Sequence, residues 1–145
     1  MIGLLQRVSR AHVDVAGQRI AEIGAGLLVL VGVQADDSAA RAERLLQRVL
    51  GYRMFADAQG RMNLSLADCG GGLLLVPQFT LAADTRQGMR ASFSAAAEPM
   101  LARQLFDHLV AQARRSHGPV ACGHFGADMQ VTLTNDGPVT FRLQA

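Results

Sequence analysis

Two uninterrupted apolar runs constrain the fold of this chain more than any other feature. Leu27 to Val33, entered through Gly24-Ala25-Gly26, has the length of a strand and offers no polar face, which suits a strand buried on both sides. It is predicted at the centre of the core. Leu73 to Val76 repeats the arrangement behind Gly70-Gly71-Gly72, a tight entry into a second core strand. That triple glycine lacks the Gly-Lys-Ser/Thr ending of a phosphate-binding loop and reads as a flexible turn. A membrane-spanning helix needs roughly 20 apolar residues, and even Ile23 to Val33 is interrupted by three glycines.

Alternating and β-branched residues extend from Gly3 to Ser9 and from His12 to Val15, Ala16-Gly17-Gln18 offers a turn, and Arg19 to Ile23 resumes the pattern, as in a meander or barrel wall. A helix is predicted after the N-cap candidates Asp36, Asp37 and Ser38, because Ala42, Leu45, Leu46, Val49 and Leu50 recur at helical spacing up to Gly51. A second begins near Glu98 with Pro99 at its first position, buries Leu101, Leu105 and Leu109, and ends at Arg114, Arg115 and Gly118. Between them, Arg53 to Asp68 reads as loop with short extended pieces. Met129 to Thr134 alternates as a strand, turns at Asn135-Asp136-Gly137 and resumes from Val139 to Leu143. The element order predicts an α+β fold: a single domain over residues 1–145 with a mainly antiparallel sheet or barrel and two amphipathic helices.

Composition bounds the function classes. At 145 residues, 50% hydrophobic and 18% charged, the chain has the apolar content of one folded domain rather than of a disordered segment. It carries no Trp, one Tyr and six Phe, too few rings for an aromatic platform of the kind that binds single-stranded nucleic acid. All 14 basic residues are Arg, yet the formal net charge is only +2, so charge alone argues neither for nor against an RNA partner. The opening MIGLLQRVSR has its arginines after the apolar residues and no long hydrophobic region. That is the reverse of a secretory signal, and a cytoplasmic location is expected. Cys69 and Cys122 are then expected as reduced thiols.

Few constellations carry chemistry. His117, Cys122 and His124 fall together in HGPVACGH, with Cys122 and His124 expected on one face of a strand, but the spacing fits no standard zinc pattern. No metal and no cofactor are expected. Arg41, Arg44 and Arg48 share the outer face of the first helix, which reads first as a solvated face and second as a phosphate-contacting ridge. There is no Gly-x-Ser-x-Gly turn for a serine hydrolase, and neither cysteine has the partners of a thiol nucleophile. Two polar interruptions of apolar strands stand out instead: Pro77-Gln78-Phe79-Thr80-Leu81, and Asn135-Asp136-Gly137-Pro138-Val139-Thr140. Each also has a plain structural reading, the first as a strand end with outward Gln and Thr, the second as an Asx-type turn. The proline after Gly137 removes a donor and permits a cis peptide, found at about 5–6% of X-Pro bonds.

Taken with MIGLLQRVSRAHVDV, AEIGAGLLVLVGV, GYRMFADAQGRMNL, GMRASFS and ADMQVTLTNDGPVT, the segments PQFTLAADT and NDGPVTF resemble the D-aminoacyl-tRNA deacylase family over essentially the whole chain. Gln78 and Thr80 match the first family signature, Ser-Gln-x-Thr, while Pro77 stands where the serine would be. The serine's role is not carried over. The family's Arg-Pro-x-Phe appears as Arg90-Ala91-Ser92-Phe93, a change of loop stiffness more than of chemistry. The second signature, Asn-x-Gly-Pro-Val-Thr, is intact from Asn135 to Thr140.

The resemblance implies a homodimeric, metal-free esterase without cofactor. Its substrate would be the 3′ end of aminoacyl-tRNA, from which it releases D-amino acids, and glycine from mischarged tRNA, while sparing L-aminoacyl esters. No DNA or membrane partner is implied. The catalytic residues would be Gln78 and Thr80, with Phe79, Asn135, Gly137 and Pro138 binding substrate. An aminoacyl ester is intrinsically labile, so positioning its carbonyl and stabilising developing charge suffice without a strong nucleophile. In the family the ribose 2′-hydroxyl assists the chemistry, which leaves Thr80 a positioning or hydrogen-bonding role. The resemblance further implies that Gly137-Pro138 is a cis unit reaching into the pocket of the other subunit, where its backbone recognises the aminoacyl Cα. Two rival classes remain: a metal-assisted hydrolase using His117, Cys122 and His124, and a non-enzymatic tRNA-binding module using the Arg41, Arg44, Arg48 ridge.

Overall fold

A computed structural model describes all of residues 1–145. β1 (Ile2–Val15) and β2 (Gln18–Ile23) form a hairpin closed at Ala16 and Gly17, both with positive φ, the two-residue turn whose twist matches that of its strands. β1 is one strand of 14 residues rather than the two pieces expected. Its first half pairs with β3 (Gly26–Gly32), its second half with β2, and the long C-terminal strand Gln130–Gln144 lies along its other edge.

Beyond β3 the chain enters α1 (Ala39–Gly51), as periodic as expected: Ser38 accepts from Arg41 N–H at its N-cap, and Ala42, Leu45, Leu46 and Val49 are buried. The segment expected as loop holds a small hairpin, β4 (Phe55–Ala56) with β5 (Met62–Leu64), and one helical turn, α2 (Leu66–Cys69). α2 is a third helix beside the two expected, closed by a capping box between Ser65 and Asp68. β6 (Gly72–Pro77) follows, then α3 (Pro99–Ser116), β7 (Val120–Cys122) and β8 (Gln130–Gln144). α3 starts at Pro99 and buries Leu105, Phe106 and Leu109.

The sheet is mixed, which corrects the mainly antiparallel expectation: β3, β6 and β7 run parallel. The chain passes from β3 to β6 by way of α1 and from β6 to β7 by way of α3, the crossovers that parallel pairing requires. β3 and β6 lack a polar face because both their faces are covered. Leu27, Val29, Val31, Leu73 and Leu75 pack in the layer shared with α1 and α3. Leu28, Leu74 and Val76 point the other way, against Val8, Ala11, Val13 and Ile23, where β1 and β2 curl over the opposite face. The result is a nearly closed barrel with its long helices on one side. No helix is long and apolar enough to cross a membrane.

Two of the three glycines, Gly71 and Gly72, are packed rather than flexible, while Gly70 caps α2 in the open. A β-carbon on Gly26 would lie 1.9 Å from the Gly72 carbonyl oxygen, so the two strand entrances meet with no room for a side chain. Gly72 N–H donates to Ala25 O across the same contact at 2.9 Å.

Candidate active site

Both polar segments singled out from the sequence leave the sheet ladder, by different means. Pro77, with no N–H to donate, takes the last position of β6. Gln78 N–H still donates to Val31 O on β3 at 2.8 Å, and the chain then winds into a short 3-10 turn, Phe79–Ala82. Leu81 N–H to Gln78 O and Ala83 N–H to Thr80 O, both 3.2 Å, hold that turn. Ala82 anchors it in the interior, while Phe79 and Thr80 are exposed and Gln78 is half-buried. The Gln78 side-chain amide donates to the Thr80 hydroxyl. One Gln78 N–H and the Thr80 hydroxyl proton remain free to donate elsewhere. An amide nitrogen takes no proton, and no carboxylate or imidazole reaches Thr80 Oγ1, whose partner is Gln78. Nothing here activates Thr80 as a nucleophile.

Pro77, Gln78 and Phe79 line a cleft of about 540 Å³, closed by Phe125, Asp128 and Met129 among others. That is the size of a small-molecule site with mostly apolar walls and a few convergent polar groups. A second groove, of about 350 Å³ between Arg10, His12, Arg19 and Thr132, includes no signature residue.

Asn135–Thr140 is a bulge, not the expected hairpin turn. It lies within β8, where the register against β1 slips: Gln6 faces Thr140, and Val8 faces Asn135. Asp136 to Val139 therefore stand opposite Arg7 alone and loop outward. Two side chains shape the loop. Asn135 Oδ1 accepts from Val139 N–H at 2.7 Å, and its Nδ2 donates to Val139 O and Thr140 Oγ1, both at 3.2 Å. Arg7 donates through Nε to Asp136 O at 3.1 Å and through Nη1 to Met54 O at 2.8 Å, and it pairs with the Asp136 carboxylate at 3.2 Å. Sequence reading missed Arg7; its one signal is a charge inside a largely apolar half-strand. The Gly137-Pro138 bond is cis. Gly137 has φ +128°, and a β-carbon there would lie 2.7 Å from Val139 Cγ2 and 3.0 Å from Arg7 Nη2, so the position demands glycine.

No residue of Asn135–Thr140 lines the Gln78 cleft. Val131 does, and four residues of extended strand, about 13 Å of chain, carry β8 from there to Asn135, where the bulge leaves the sheet. In one copy the two signature segments thus face separate spaces.

The residues of the metal alternative are not brought together. β7 ends at Cys122, so His124 lies beyond the strand instead of sharing its face. His117 Nε2 is hydrogen-bonded to Gly71 O at 2.7 Å, and Cys122 Sγ accepts from Arg114 at 3.4 Å. No three His, Cys, Asp or Glu side chains converge as a metal site would require. Along α1, Arg41 pairs with Asp36 at 2.7 Å, Arg44 bonds Gln47, and Arg48 donates to Gln144 O at 2.6 Å. The ridge is engaged within the molecule.

After the 3-10 turn, the loop through residues 83–97 folds back on itself, Asp84 and Ser92 exchanging backbone hydrogen bonds of 2.8 and 3.0 Å. Arg86 forks onto the Asp84 carboxylate at 2.9 and 2.7 Å. Those side-chain bonds, with the Arg86 N–H, hold the Asp84 carboxyl down at about 2.

The sequence model of the family described as D-Tyr-tRNA(Tyr) deacylase matches residues 4–144. The chain belongs to this family. A D-aminoacyl-tRNA deacylase of Thioalkalivibrio sulfidiphilus is 67% identical over 99% of this chain and 97% of that protein. A D-aminoacyl-tRNA deacylase of Pseudomonas fluorescens is 62% identical over 99% of each. Among solved structures, a c-Myc DNA Unwinding Element Binding Protein is 35% identical, with a TM-score of 0.95 over 100% of this chain and 99% of its own. The structure of a probable eukaryotic D-amino acid tRNA deacylase, 17% identical, shares the fold with a TM-score of 0.87 over 99% of this chain and 98% of its own. As a member of the deacylase family, the chain keeps Gln78 and Thr80 of the first signature behind Pro77, and the whole of the second.

Proposed function

We propose that this family member hydrolyses the ester between a D-aminoacyl group, or glycine, and the 3′-terminal ribose of tRNA, sparing L-aminoacyl esters. It works in the cytoplasm as a homodimer, the Gly137-Pro138 bulge of one copy closing the Gln78 cleft of the other. One observation carries this reading. The two signature segments occupy complementary places on a single copy: a cleft lined by Gln78, with Thr80 beside it, that has no part of the second signature, and an exposed backbone bulge that lines none of the main cavities. Two copies supply each cleft with a bulge.

The free Gln78 N–H and the Thr80 hydroxyl hold the ester carbonyl and stabilise the charge that develops on it. The labile ester needs no protein nucleophile, and the substrate's own 2′-hydroxyl assists. Phe79 packs the aminoacyl nucleoside at the mouth of the cleft. Asn135 acts through the bulge it shapes. Handedness is read by backbone: at Cα a D- and an L-residue exchange hydrogen and side chain, so a wall close to one direction excludes L. Glycine passes the same wall, which cannot reject a hydrogen.

The test is deacylation of matched D-, L- and glycyl-tRNA by the purified protein, with and without EDTA. Hydrolysis of the D- and glycyl forms alone, unchanged in chelator, is expected. Comparable turnover of D- and L-tyrosyl-tRNA would overturn the reading, loss in EDTA would restore the metal alternative, and tRNA binding without turnover would leave a binding module. Mixed dimers of Gln78→Ala and Gly137→Ala chains contain one intact shared site, so mixing two inactive variants should recover activity. No recovery would place each site within one copy.

A further inference from the structure

Six large apolar side chains are exposed on this chain, and four of them, Phe79, Met89, Phe93 and Met100, fall within residues 79–100, the segment bordering the Gln78 cleft. Of all the phenylalanines only Phe79 and Phe93 are exposed, at 60% and 45%; their ring centroids lie 5.2 Å apart with planes tilted by 43°. Arg90, three residues before Phe93, is exposed and engages no other side chain, whereas Arg86 in the same loop is forked onto Asp84. No acidic residue stands between Arg86 and Glu98. A solvent-facing aromatic step beside a free guanidinium is the equipment that holds unpaired nucleotides, bases on rings and phosphate on arginine.

We infer that Phe79, Phe93 and Arg90 form a subsite for the single-stranded tRNA nucleotides that precede the esterified terminal nucleoside. This rests on the deacylase reading above and extends it outward from the ester. A cleft of about 540 Å³ accommodates an aminoacyl nucleoside and little more, so the preceding nucleotides leave at its mouth, where Phe79 stands. Two rings are not the extended platform that the scarcity of aromatics argues against; they serve one or two bases. The rival occupant is a second copy of the chain. A subunit interface covering this step would also bury the Arg90 guanidinium, and the loop's one carboxylate, Asp84, is already taken by Arg86.

The experiment compares two substrates, a D-aminoacyl-tRNA and the D-aminoacyl ester of adenosine, which lacks the preceding nucleotides. Phe93→Ala should raise KM for the tRNA about tenfold, in line with the loss of one stacked base, with kcat and the adenosine ester unaffected. Phe93→Tyr should restore the wild-type KM. Arg90→Ala should raise KM and flatten its salt dependence by about one phosphate contact. Fluorescence anisotropy with an uncharged RNA hairpin bearing the tRNA 3′ end should show the same losses. Equal loss on both substrates, no change on either, or dissociation of the Phe93→Ala dimer in sedimentation would overturn the subsite. If the wild-type chain cleaves neither ester, the deacylase reading fails, and the hairpin measurement still decides the subsite.

Discussion

The Gln78 turn and the Gly137 bulge, the two halves of the proposed site, are held by opposite means. The turn is held mainly by backbone: two hydrogen bonds link residues three apart, Gln78 N–H anchors it to Val31 O on β3, and it rides on the buried strand β6. The bulge is closed locally by Asn135 but tied to the rest of the molecule from a distance, by Arg7, which lies 129 positions from Asp136 and also clasps Met54 O. The first arrangement is lost only with the core. The second can be taken apart by one remote side chain while the protein stays folded. On the proposed division of labour, the donors that serve hydrolysis sit on the robust half, and the wall that reads chirality sits on the half that one substitution can loosen.

The strongest way to test that division is Gly137→Ala. The new β-carbon would meet Val139 and Arg7 at 2.7 and 3.0 Å in a backbone with φ +128°, and would stand where the wall approaches the substrate. kcat/KM on D-aminoacyl-tRNA should fall about 100-fold, about 2.7 kcal/mol of transition-state stabilisation. Because the position is exposed, folding stability should change by only about 1–2 kcal/mol. Collapse of the fold in thermal melting would show that the bulge is structural first.

Thr80→Ala probes the other half. Removing one positioned donor should lower kcat about 30-fold without abolishing turnover, the size of a hydrogen bond to developing charge. Capture of a covalent aminoacyl adduct on Thr80 would show it to be a nucleophile. Arg7→Ala then separates the halves. It frees the bulge from Met54 O and Asp136, so discrimination between D- and L-substrates should relax about tenfold, with stability lower by about 1–3 kcal/mol. An unchanged D/L ratio in a destabilised protein would mean that Arg7 supports the fold and not the wall.

The same contrast explains what the sequence made legible. The Gln78 segment is visible because its cause is local: a proline closes a strand, and polar residues interrupt an apolar run. β3 and β6 are visible for a similar reason, since covering both faces leaves an unbroken apolar stretch. Their parallel pairing was missed because it depends on where α1 and α3 return the chain, not on any residue within the strands. At Asn135-Asp136-Gly137 the turn chemistry is real, and it misleads. The ladder with β1 continues on both sides of the bulge, and that pairing overrides the local preference for reversal. Arg7 carried only the weak local signal of a charge in a largely apolar half-strand, because its partners, Met54 and Asp136, are remote in sequence.

Pro77→Ser should have a smaller effect. Pro77 ends β6, and Gln78 already reaches Thr80 without help from position 77. The change restores the family residue and should alter kcat/KM by about twofold, or about 0.4 kcal/mol. A gain of several orders of magnitude would mean that the missing serine is catalytic and that this chain is an impaired member.

The smallest effect concerns pH, and it sharpens the comparison by adding a titrating element beside a turn that has none. Gln78, Phe79 and Thr80 bear no titratable group near neutrality, so the turn itself should be indifferent to acid. The loop carrying Phe93 is tied back at Asp84, whose carboxyl is held at about 2, below its ordinary 3.8, chiefly by the Arg86 guanidinium. A carboxyl depressed in the folded state stabilises the fold above its unfolded value, and that contribution disappears as pH falls through the folded value. The fork between Asp84 and Arg86 should therefore persist from pH 7 down to about 4 and open between pH 4 and pH 2. Its NMR readouts are the Asp84 carboxyl carbon and the Arg86 Nε, which should titrate together. Arg86→Ala removes the first cause of the shift and should move the Asp84 midpoint up towards 3.8, with little change in D-aminoacyl-tRNA turnover at neutral pH. A wild-type midpoint already near 4 would show that the fork between Asp84 and Arg86 does not form in solution.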